Sequence, residues 1–484
     1  MQKIDNLFKN VNVKKIFGTA GAGKTTYLIK ENEELFKQGV SPEEIVFVSF
    51  TKTAVEEMIN RMIIKFPQFT KEQFNNFKTL HALCYRYSKN KNVMDYKDLL
   101  KVTKPLGLEI SMFINPEDGG GNKVGDKVIT IESLSRLRMV DLKQQWEDCN
   151  FDNCPYHIVQ EFSEHLNKYK EENNKIDYTD MLESYSSGAI GNVKYFFVDE
   201  AQDLSPLQWK VVDQMASNCE KVIIAGDDDQ AIYNWAGADV NYILNIKNDE
   251  EVILNKSYRL PKKIYDLSRV VLKRIGNRKQ KESDPIEKEG SINHYNSFSN
   301  IEFKPNEDYL ILVRNNYLMK NIKETLEDEG IGYVVNEVSS LKNDETRAIV
   351  DWEKFRNGKV ITYNDFENIK KYSIFLAKYK KENVPEELKK EWFSILNNIS
   401  KAKYYRLCLT NGYKFNEMPK VTISSIHKAK GGECQNVVII TDVSFITWSN
   451  IYSDDEHRVW YVAVSRCKEN LHIVMEQGNK FYKI

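Results

Sequence analysis

A glycine-rich loop near the start of the chain carries the clearest chemistry. The segment GTAGAGKTT, from Gly18 to Thr26, fits the pattern Gly-x-x-x-x-Gly-Lys-Thr of a phosphate-binding loop. Its glycines let successive backbone N–H groups turn towards phosphate oxygens. Lys24 is therefore expected to reach the β- and γ-phosphates of a nucleotide, and the Thr25 hydroxyl is expected to ligate Mg²⁺.

An acidic segment further along the chain complements this loop. In YFFVDEAQD, residues 195–203, an apolar run carries Asp199 and Glu200 to its end. One of these carboxylates, with Asp199 as the expected ligand, would hold Mg²⁺ mostly through water, and the other would orient or deprotonate the attacking water. The plain alternative is a strand that ends in solvent-facing acids, and the presence of the phosphate loop disfavours it.

These side chains need strands and helices to hold them. A β-prone run, residues 13–17, precedes the loop, and a helical stretch follows it and ends near Gly39. Further buried strands are predicted at residues 45–50, 194–198 and 221–225, and polar residues follow each of them. Because ligands bind at the carboxyl ends of parallel strands, the polar residues are expected to meet at one edge of a sheet.

Sequence after residue 265 predicts a second α/β unit. Its strand-like runs are residues 308–316, 332–335, 421–426, 436–441 and 470–475, and a helix is predicted from Leu318 to Glu329. Charged helical sequence with a glycine-rich break interrupts the first unit, and Lys- and Glu-rich helical sequence interrupts the second.

Composition excludes several classes of protein. The 484 residues carry 69 Lys and Arg against 70 Asp and Glu, so the net charge of −1 argues against purely electrostatic nucleic-acid binding. Any nucleic-acid site must be a local groove that relies on stacking, for which the 12% aromatic content suffices. No run approaches the roughly 18 apolar residues of a membrane span, so no membrane partner is predicted. Seven scattered cysteines indicate a reducing compartment, and Cys149 and Cys154 are interpreted as structural.

Nine further segments resemble, in order, the motifs of superfamily 1 helicases of the UvrD/Rep/PcrA type. They are VSFTKTAVEEM (48–58), FKTLHALCYR (77–86), IDYTDML (176–182), VDEAQDLSPLQ (198–208), AGDDDQAIYNWAGA (225–238), LNKSYR (254–259), LVRNN (312–316), ISSIHKAKGGE (423–433) and EHRVWYVAVSRCKENL (456–471). The resemblance covers nearly the whole chain. It implies an ATP-dependent DNA helicase that uses Mg²⁺ and moves 3′→5′ on single-stranded DNA.

The resemblance also implies an α/β fold of two RecA-like motor lobes, each with a parallel sheet flanked by helices. Lobe 1 would comprise residues 1–84 and 190–264, with a helical insertion at 85–189. Lobe 2 would comprise residues 265–340 and 420–484, with a short helical insertion at 341–419.

Roles at the nucleotide follow motif by motif from the same resemblance. Lys24 would meet the γ-phosphate from lobe 1, and Arg259 and Arg466 would supply positive charge from the lobe 2 side. Gln230 would sense the γ-phosphate or the attacking water, and Tyr258 would stack near the adenine. The remaining nucleotide contacts are expected from Gly18, Ala20, Gly21, Ala22, Gly23, Thr26, Gln202, Gly431 and Glu433.

Roles at the DNA are implied in the same way. Bases would stack on or contact Phe50, His81, Trp235 and His427. Thr51 and Thr79 would hold phosphates through hydroxyl and backbone donors. Asn234 before Trp235 and the small residues after it favour an exposed aromatic platform, whereas a buried structural role for His427 stays open.

Four features depart from the family pattern. No glutamine motif precedes the phosphate loop, Ala236 replaces the family's Arg, and GGE replaces GLE at residues 431–433. The second insertion is also short and lacks a Gly-Ile-Gly motif. Adenine selectivity and the grip on duplex DNA are therefore open.

Two alternatives accompany the helicase prediction. One is a translocase of the same fold that strips proteins from single strands but unwinds poorly, and the other is a nucleotide-gated binding module with little turnover. The expected partners are single-stranded DNA, single-strand/duplex junctions and replication or repair proteins. A monomer in the cytoplasm of a bacterium or of a virus-infected cell is expected.

Overall fold

The computed structural model describes residues 4–49, 51–112, 123–185, 188–475 and 478–484. By its internal contacts the chain forms two compact units. The first unit comprises Met1–Lys262, Arg269–Lys288 and Tyr452–Tyr461, and the second comprises Lys263–Ser268, Glu289–Ile451 and Val462–Ile484.

The first unit is built on a six-stranded sheet with the order β3-β2-β4-β5-β1-β6, in which every pairing is parallel. A separate parallel pair, β7 with β8, follows it in the chain. The strands are β1 Asn12–Gly18, β2 Ile45–Ser49, β3 Phe77–Thr79, β4 Tyr195–Val198, β5 Lys221–Gly226, β6 Glu250–Leu254, β7 Lys256–Pro261 and β8 Asp284–Ile286.

Helices cover both faces of this sheet, because its central strands are apolar on both faces. Alternate residues of β2, such as Val46 and Phe47, belong to two different hydrophobic cores. The helices of residues 4–250 are α1 Lys24–Lys37, α2 Lys52–Lys65, α3 Leu80–Tyr87, α4 Tyr96–Thr103, α5 Val124–Arg138, α6 Leu142–Cys149, α7 Tyr156–Asn173, α8 Tyr178–Glu183, α9 Pro206–Met215 and α10 Val240–Asn245.

Helices α4 to α7 surround a small core of their own that includes Val128, Ile131, Val159 and Phe162, whereas Met181 and Leu182 of α8 belong to the core of the first sheet. Arg136 and Lys170 pair there with a group of acidic side chains, which are Glu132, Asp177, Asp180 and Glu183. The insertion is therefore held by both apolar packing and an ion-pair network.

The second unit contains a seven-stranded sheet with the order β12-β11-β13-β10-β14-β15-β9, parallel except for the β11–β12 pair. Its strands are β9 Ser291–Tyr295, β10 Tyr309–Val313, β11 Tyr333–Val335, β12 Val338–Ser339, β13 Val421–Ser425, β14 Cys434–Ile440 and β15 Cys467–Val474. The remaining α-helices among the described residues are α11 Lys262–Leu272, α12 Met319–Asp328, α13 Asp344–Arg356, α14 Tyr363–Tyr372, α15 Ile399–Thr410, α16 Phe445–Ser449 and α17 Asp454–Val464.

Helices α13 to α15 share one hydrophobic core with the second sheet. Trp352, Phe366 and Tyr405 from these helices belong to the same cluster as Ile311 and Val313 of β10. This segment is therefore packed into the second unit and does not form a separate core.

The predicted α/β fold of parallel sheets flanked by helices is confirmed. The strands expected from the apolar runs are present, with ends that differ by a few residues. Among the residues that the structure describes, no helix has the length and apolarity needed to cross a membrane.

Candidate active site

The phosphate loop connects β1 to α1 in the first unit. Strand β1 ends at Gly18 and helix α1 begins at Lys24, whose ammonium donates a hydrogen bond of 3.2 Å to the Gly18 carbonyl. Gly21 has φ +72°, and a Cβ there would stand 2.5 Å from the Arg259 Cβ. Only glycine therefore allows this turn to lie against Arg259.

Side chains and backbone groups from distant segments hold the loop in place. Four hydrogen bonds reach it: Ser257 Oγ to Ala20 O (3.1 Å), Tyr258 N to Gly21 O (2.9 Å), Ala20 N to Tyr461 Oη (3.1 Å) and Thr19 Oγ1 to Ser283 Oγ (3.0 Å). Within the loop, the Ala22 N–H donates to the Thr19 carbonyl. The loop conformation is thus fixed by the tertiary fold as well as by its glycines.

Strand β7 places Tyr258 and Arg259 beside the loop. Arg259 belongs to the first unit, so the expectation that it comes from the lobe 2 side is wrong. The reason is that its strand bonds directly to the loop carbonyls, through the Tyr258 backbone N–H and the Ser257 hydroxyl. Tyr258 is 67% exposed, and its ring lies 3.6 Å from where a Cβ on Gly23 would stand. Its stacking on adenine stays a prediction.

Thr25 and Asp199 meet at the base of the loop. Strand β4 ends at Val198, directly before Asp199, and the Thr25 side chain is close enough to the Asp199 carboxyl to lower its pKa. Burial, reinforced by the neighbouring Glu200, raises the pKa of Asp199, and Lys24 offsets only part of this rise. Hydroxyl and buried carboxylate oxygens are the ligands that Mg²⁺ prefers, so these residues fit the ion. Thr26 is exposed in the first turn of α1.

Glu200 has a strained backbone, with φ 52° and ψ 41° in the left-handed region. A non-glycine residue is held there only when its surroundings impose it, and such strain often marks functional positions. The Gln202 amide donates to the Glu200 carboxylate at 2.6 Å and to Asp203 Oδ2 at 3.3 Å. The carboxylate is therefore held in one direction.

Gln202 links this carboxylate to the next strand. Its Oε1 accepts a 2.9 Å hydrogen bond from the Asp227 N–H, at the end of β5. A Cβ on Gly226 would stand 2.6 Å from the same Oε1, so glycine permits the close approach. Because Gln202 is 0% exposed and bonded to protein groups on both sides, the expectation that it contacts the nucleotide is wrong. It positions Glu200 instead.

Gln230 continues the same line of hydrogen bonds. Its amide donates to Asp227 Oδ2 at 2.6 Å, from the 3₁₀ turn Asp228–Gln230. Glu200, Gln202, Asp227 and Gln230 thus form one connected chain within the first unit. The structure brings together the predicted catalytic residues Lys24, Asp199, Glu200, Gln230 and Arg259 in this unit.

Three further predicted residues lie in the second unit. The buried guanidinium of Arg466 donates to the carbonyls of Val462 and Gly432, each at 3.1 Å. Gly431 has φ +85°, and Glu433 pairs with Lys468 at 2.9 Å. The roles of Arg466, Gly431 and Glu433 at the nucleotide stay predictions.

Thr51 and Thr79 occupy equivalent places at the edge of the first sheet. Each is the N-cap of a helix, with its hydroxyl accepting from the Ala54 N–H at 3.2 Å or the Ala82 N–H at 3.3 Å. Their strands, β2 and β3, are paired neighbours. Two helix N-termini therefore point to the same edge, an arrangement that favours phosphate groups.

The expected base contacts differ in exposure. His81 is half-buried with an edge-on contact to Tyr178, and burial lowers its pKa, so its ring is neutral. Trp235 is half-buried in an edge-on contact with Tyr233, so it is less exposed than expected, and its role as a stacking platform stays a prediction. Gly237, two residues on, lies close to Leu137 of α5, so the turn that carries Trp235 is packed against the insertion. Phe50 lies outside the described residues.

His427 is 1% exposed, so the structure favours the structural role over a base contact. Burial, together with the nearby charges of Arg314 and Lys430, holds its pKa well below its ordinary range. The ring is therefore neutral and enclosed in the second unit.

Sequence reasoning missed the residues that brace the site from a distance. Ser257, Ser283 and Tyr461 hold the phosphate loop, and Asp227 joins Gln202 to Gln230. Ser257, Asp227 and Tyr461 stand inside or beside segments that resemble family motifs, which was the available signal. Nothing in the local sequence singles out Ser283.

Comparison with known proteins gives a consistent assignment. The model of the UvrD/REP helicase N-terminal domain matches residues 9–251, and that of the UvrD-like helicase C-terminal domain matches residues 342–478. The putative ATP-dependent DNA helicase YjcD of Bacillus subtilis is 28% identical over 294 residues, which cover 54% of this chain and 37% of that protein. The ATP-dependent DNA helicase PcrA of Bacillus subtilis is 26% identical over 379 residues, which cover 69% of this chain and 49% of that protein.

The chain spans less than half the length of these two relatives. Among solved structures, a complex of the Arterivirus nonstructural protein 10 helicase with DNA aligns with 96% of this chain at 11% identity and a TM-score of 0.36, which is too weak a likeness to carry an argument. The family models do support an assignment, because the N-terminal model alone matches half of the chain and includes both the phosphate loop and the acidic segment. The chain therefore belongs to the UvrD/REP helicase family.

Proposed function

We propose that the chain hydrolyses Mg²⁺-bound ATP and uses the reaction to move 3′→5′ on single-stranded DNA and to unwind duplex. The observation that carries this proposal is the connected chain from Glu200 through Gln202 and Asp227 to Gln230, beside a braced phosphate loop. A chance glycine-rich turn would not come with a positioned carboxylate and an amide tied to it.

Each residue has a task in this proposal. Lys24 and the loop amides bind the β- and γ-phosphates, and Thr25 and Asp199 hold Mg²⁺. The ion would neutralise charge on the phosphate oxygens. Glu200, aimed by Gln202, orients the attacking water and accepts its proton, while Gln230 contacts the water or the γ-phosphate. Arg259 supplies positive charge from beside Gly21, where charge spreads over the phosphoryl oxygens.

The DNA is proposed to follow the sheet edge that carries Thr51 and Thr79. The two helix N-termini would receive backbone phosphates, and the rings of His81 and Trp235 would contact bases. This fits the net charge of −1, because local donors and stacking replace a large positive surface. The direction of movement and the unwinding are proposed from family membership. The partners would be junction DNA and replication or repair proteins, and the site of action a bacterial or virus-infected cytoplasm, with the chain as a monomer.

A second candidate is a translocase that displaces bound proteins but unwinds poorly. The observation that favours it is the second insertion, whose helices α13 to α15 share the core of the second sheet. A segment committed to that core has less apolar surface left for gripping duplex ahead of a fork. Nucleotide-gated binding without turnover is disfavoured, because Lys24, Glu200 and Gln230 are all in place.

Two displacement assays separate these functions. Duplexes with a 3′ or a 5′ single-stranded tail are offered with ATP, and in parallel a tailed strand carries streptavidin on a terminal biotin. The proposal expects strand separation on the 3′-tailed duplex only, and Lys24→Ala serves as the inactive control. Streptavidin displacement without strand separation would establish the translocase. Strand separation from the 5′ tail would contradict the proposed polarity.

A further inference from the structure

Three consecutive aspartates, Asp227, Asp228 and Asp229, are fully buried next to the candidate active site. Their ligand oxygens lie close enough together to hold a metal ion. The ammonium of Lys281, itself 0% exposed, occupies this position instead: its Nζ lies 3.1 Å from Asp227 Oδ1, 3.0 Å from Asp229 Oδ2 and in contact with Asp228 Oδ1. The cluster is therefore an internal ion-pair network.

A second cation joins the network at one end only. The Arg278 guanidinium makes a bidentate contact with the Asp229 carboxylate, donating from Nε to Oδ1 at 2.6 Å and from Nη2 to Oδ2 at 2.7 Å. The Lys279 N–H donates to Asp228 Oδ2 at 2.7 Å. Buried carboxylates need such partners, because an unpaired buried charge is strongly destabilising. The segment that holds residues 278–281 is thus fixed to the turn after β5.

The partners of the individual carboxylates differ in one important respect. Asp227 binds Lys281 through one oxygen and accepts the Gln230 amide through the other, at 2.6 Å. Lys281 is therefore linked to Gln230 through a single intervening side chain, that of Asp227. Arg278, by contrast, contacts Asp229. The same segment reaches the phosphate loop two residues later, where Ser283 accepts the Thr19 hydroxyl hydrogen bond at 3.0 Å.

We propose that Lys281 is a positioning residue, which fixes Gln230 through Asp227 and ties its position to the phosphate loop through Ser283, two residues further along the same segment. The inference rests on the proposed function, because Gln230 matters for turnover only if ATP is hydrolysed here. Lys281 touches no reacting atom. It acts by holding the Asp227 carboxylate in the one direction that receives the Gln230 amide.

A merely structural role is the competing explanation, and the chain offers a matched control for it. The double variant K281M/D228N removes one cation and one carboxylate from the network, and so does R278M/D229N. Both variants keep Asp227, and both remove one positive and one negative charge. Only the first removes the cation that contacts Asp227.

The two double variants are compared in ATP hydrolysis with single-stranded DNA present and in melting temperature. For K281M/D228N we expect about a hundredfold lower kcat, as for a catalytic group displaced by about 1 Å, with KM for ATP little changed. For R278M/D229N we expect kcat close to that of the wild type, with a similar loss of melting temperature. Equal kcat in the two variants, at any melting temperature, would overturn the proposal.

A second measurement does not depend on turnover. Hydrogen–deuterium exchange of the backbone amides of residues 227–231, without nucleotide, should be faster in K281M/D228N than in R278M/D229N, and equal rates would also overturn the proposal. If the wild type hydrolyses no ATP, the proposed function fails while the exchange comparison still decides whether Lys281 positions Gln230. Should K281M/D228N fail to fold, Lys281→Arg replaces it, because it keeps the charge but cannot place one ammonium among the three carboxylates. An unchanged kcat in folded Lys281→Arg would count against the proposal.

Discussion

Replacing Gln202 by Met should uncouple the catalytic carboxylate from the site while leaving nucleotide binding intact. Met has a similar length but no amide, so the change removes the donor to Glu200 at 2.6 Å and the acceptor of the Asp227 N–H at 2.9 Å. A buried N–H without a partner costs about 1–3 kcal/mol, and the lost bond to a charged group adds to this. We therefore expect a loss of about 2–4 kcal/mol in the free energy of unfolding.

The effect on catalysis should be separate from this loss of stability. With Glu200 free to turn, kcat for ATP hydrolysis should fall by about a hundredfold, and KM for ATP should change little because Gln202 touches no phosphate. The matched control is Gln208→Met, since Gln208 is also buried and accepts the Ser205 N–H at 2.8 Å in the capping box of α9. That variant should lose about 1 kcal/mol of stability and keep its kcat. Equal kcat values in the two variants, or a change confined to KM, would show that Gln202 does not position Glu200.

Two further predictions concern the DNA site and the insertion. Trp235→Ala should weaken the binding of single-stranded DNA by about tenfold to a hundredfold. It should lower the melting temperature less than the loss of a fully buried ring would, because the ring is half-buried. Unchanged affinity in a fluorescence titration would show that Trp235 does not contact the DNA. Burial raises the pKa of Glu132 from 4.5 to about 6, so this group binds its proton more tightly in the folded state. The free energy of unfolding of the wild type should therefore fall by about 2 kcal/mol relative to that of Glu132→Gln as pH rises from below 4.5 to above 6. A difference between the two proteins that stays constant over this pH range would contradict the prediction.

Local sequence was enough to predict the centre of the site. The phosphate loop and the end of β4 are strand-to-loop transitions, in which residue type and position along the chain determine which groups face the ligand. Lys24, Thr25 and Asp199 therefore lie where the pattern predicts. The strands themselves followed from continuous apolar runs.

Residues that reach the site through tertiary folding could not be predicted in this way. Tyr461 and Ser283 contact the phosphate loop across long stretches of chain, and a single Tyr or Ser carries no periodic signal. The lobe that holds Arg259 depends on the partners of β7, which the segment LNKSYR does not specify. The burial of Trp235 depends on what its turn packs against, whereas the neighbouring residues in the sequence only suggested exposure.

The proposed function requires an ATP hydrolysis site in the first unit, with Glu200 as its catalytic carboxylate. The direct test measures phosphate release by the wild type and by Glu200→Gln, with and without single-stranded DNA, together with the binding of Mg²⁺-ATP. We expect the wild type to hydrolyse ATP at a rate that DNA stimulates, and we expect Glu200→Gln to bind Mg²⁺-ATP normally with turnover reduced by orders of magnitude. Normal hydrolysis by Glu200→Gln, or no hydrolysis by a folded wild type that binds ATP, would contradict the proposed function.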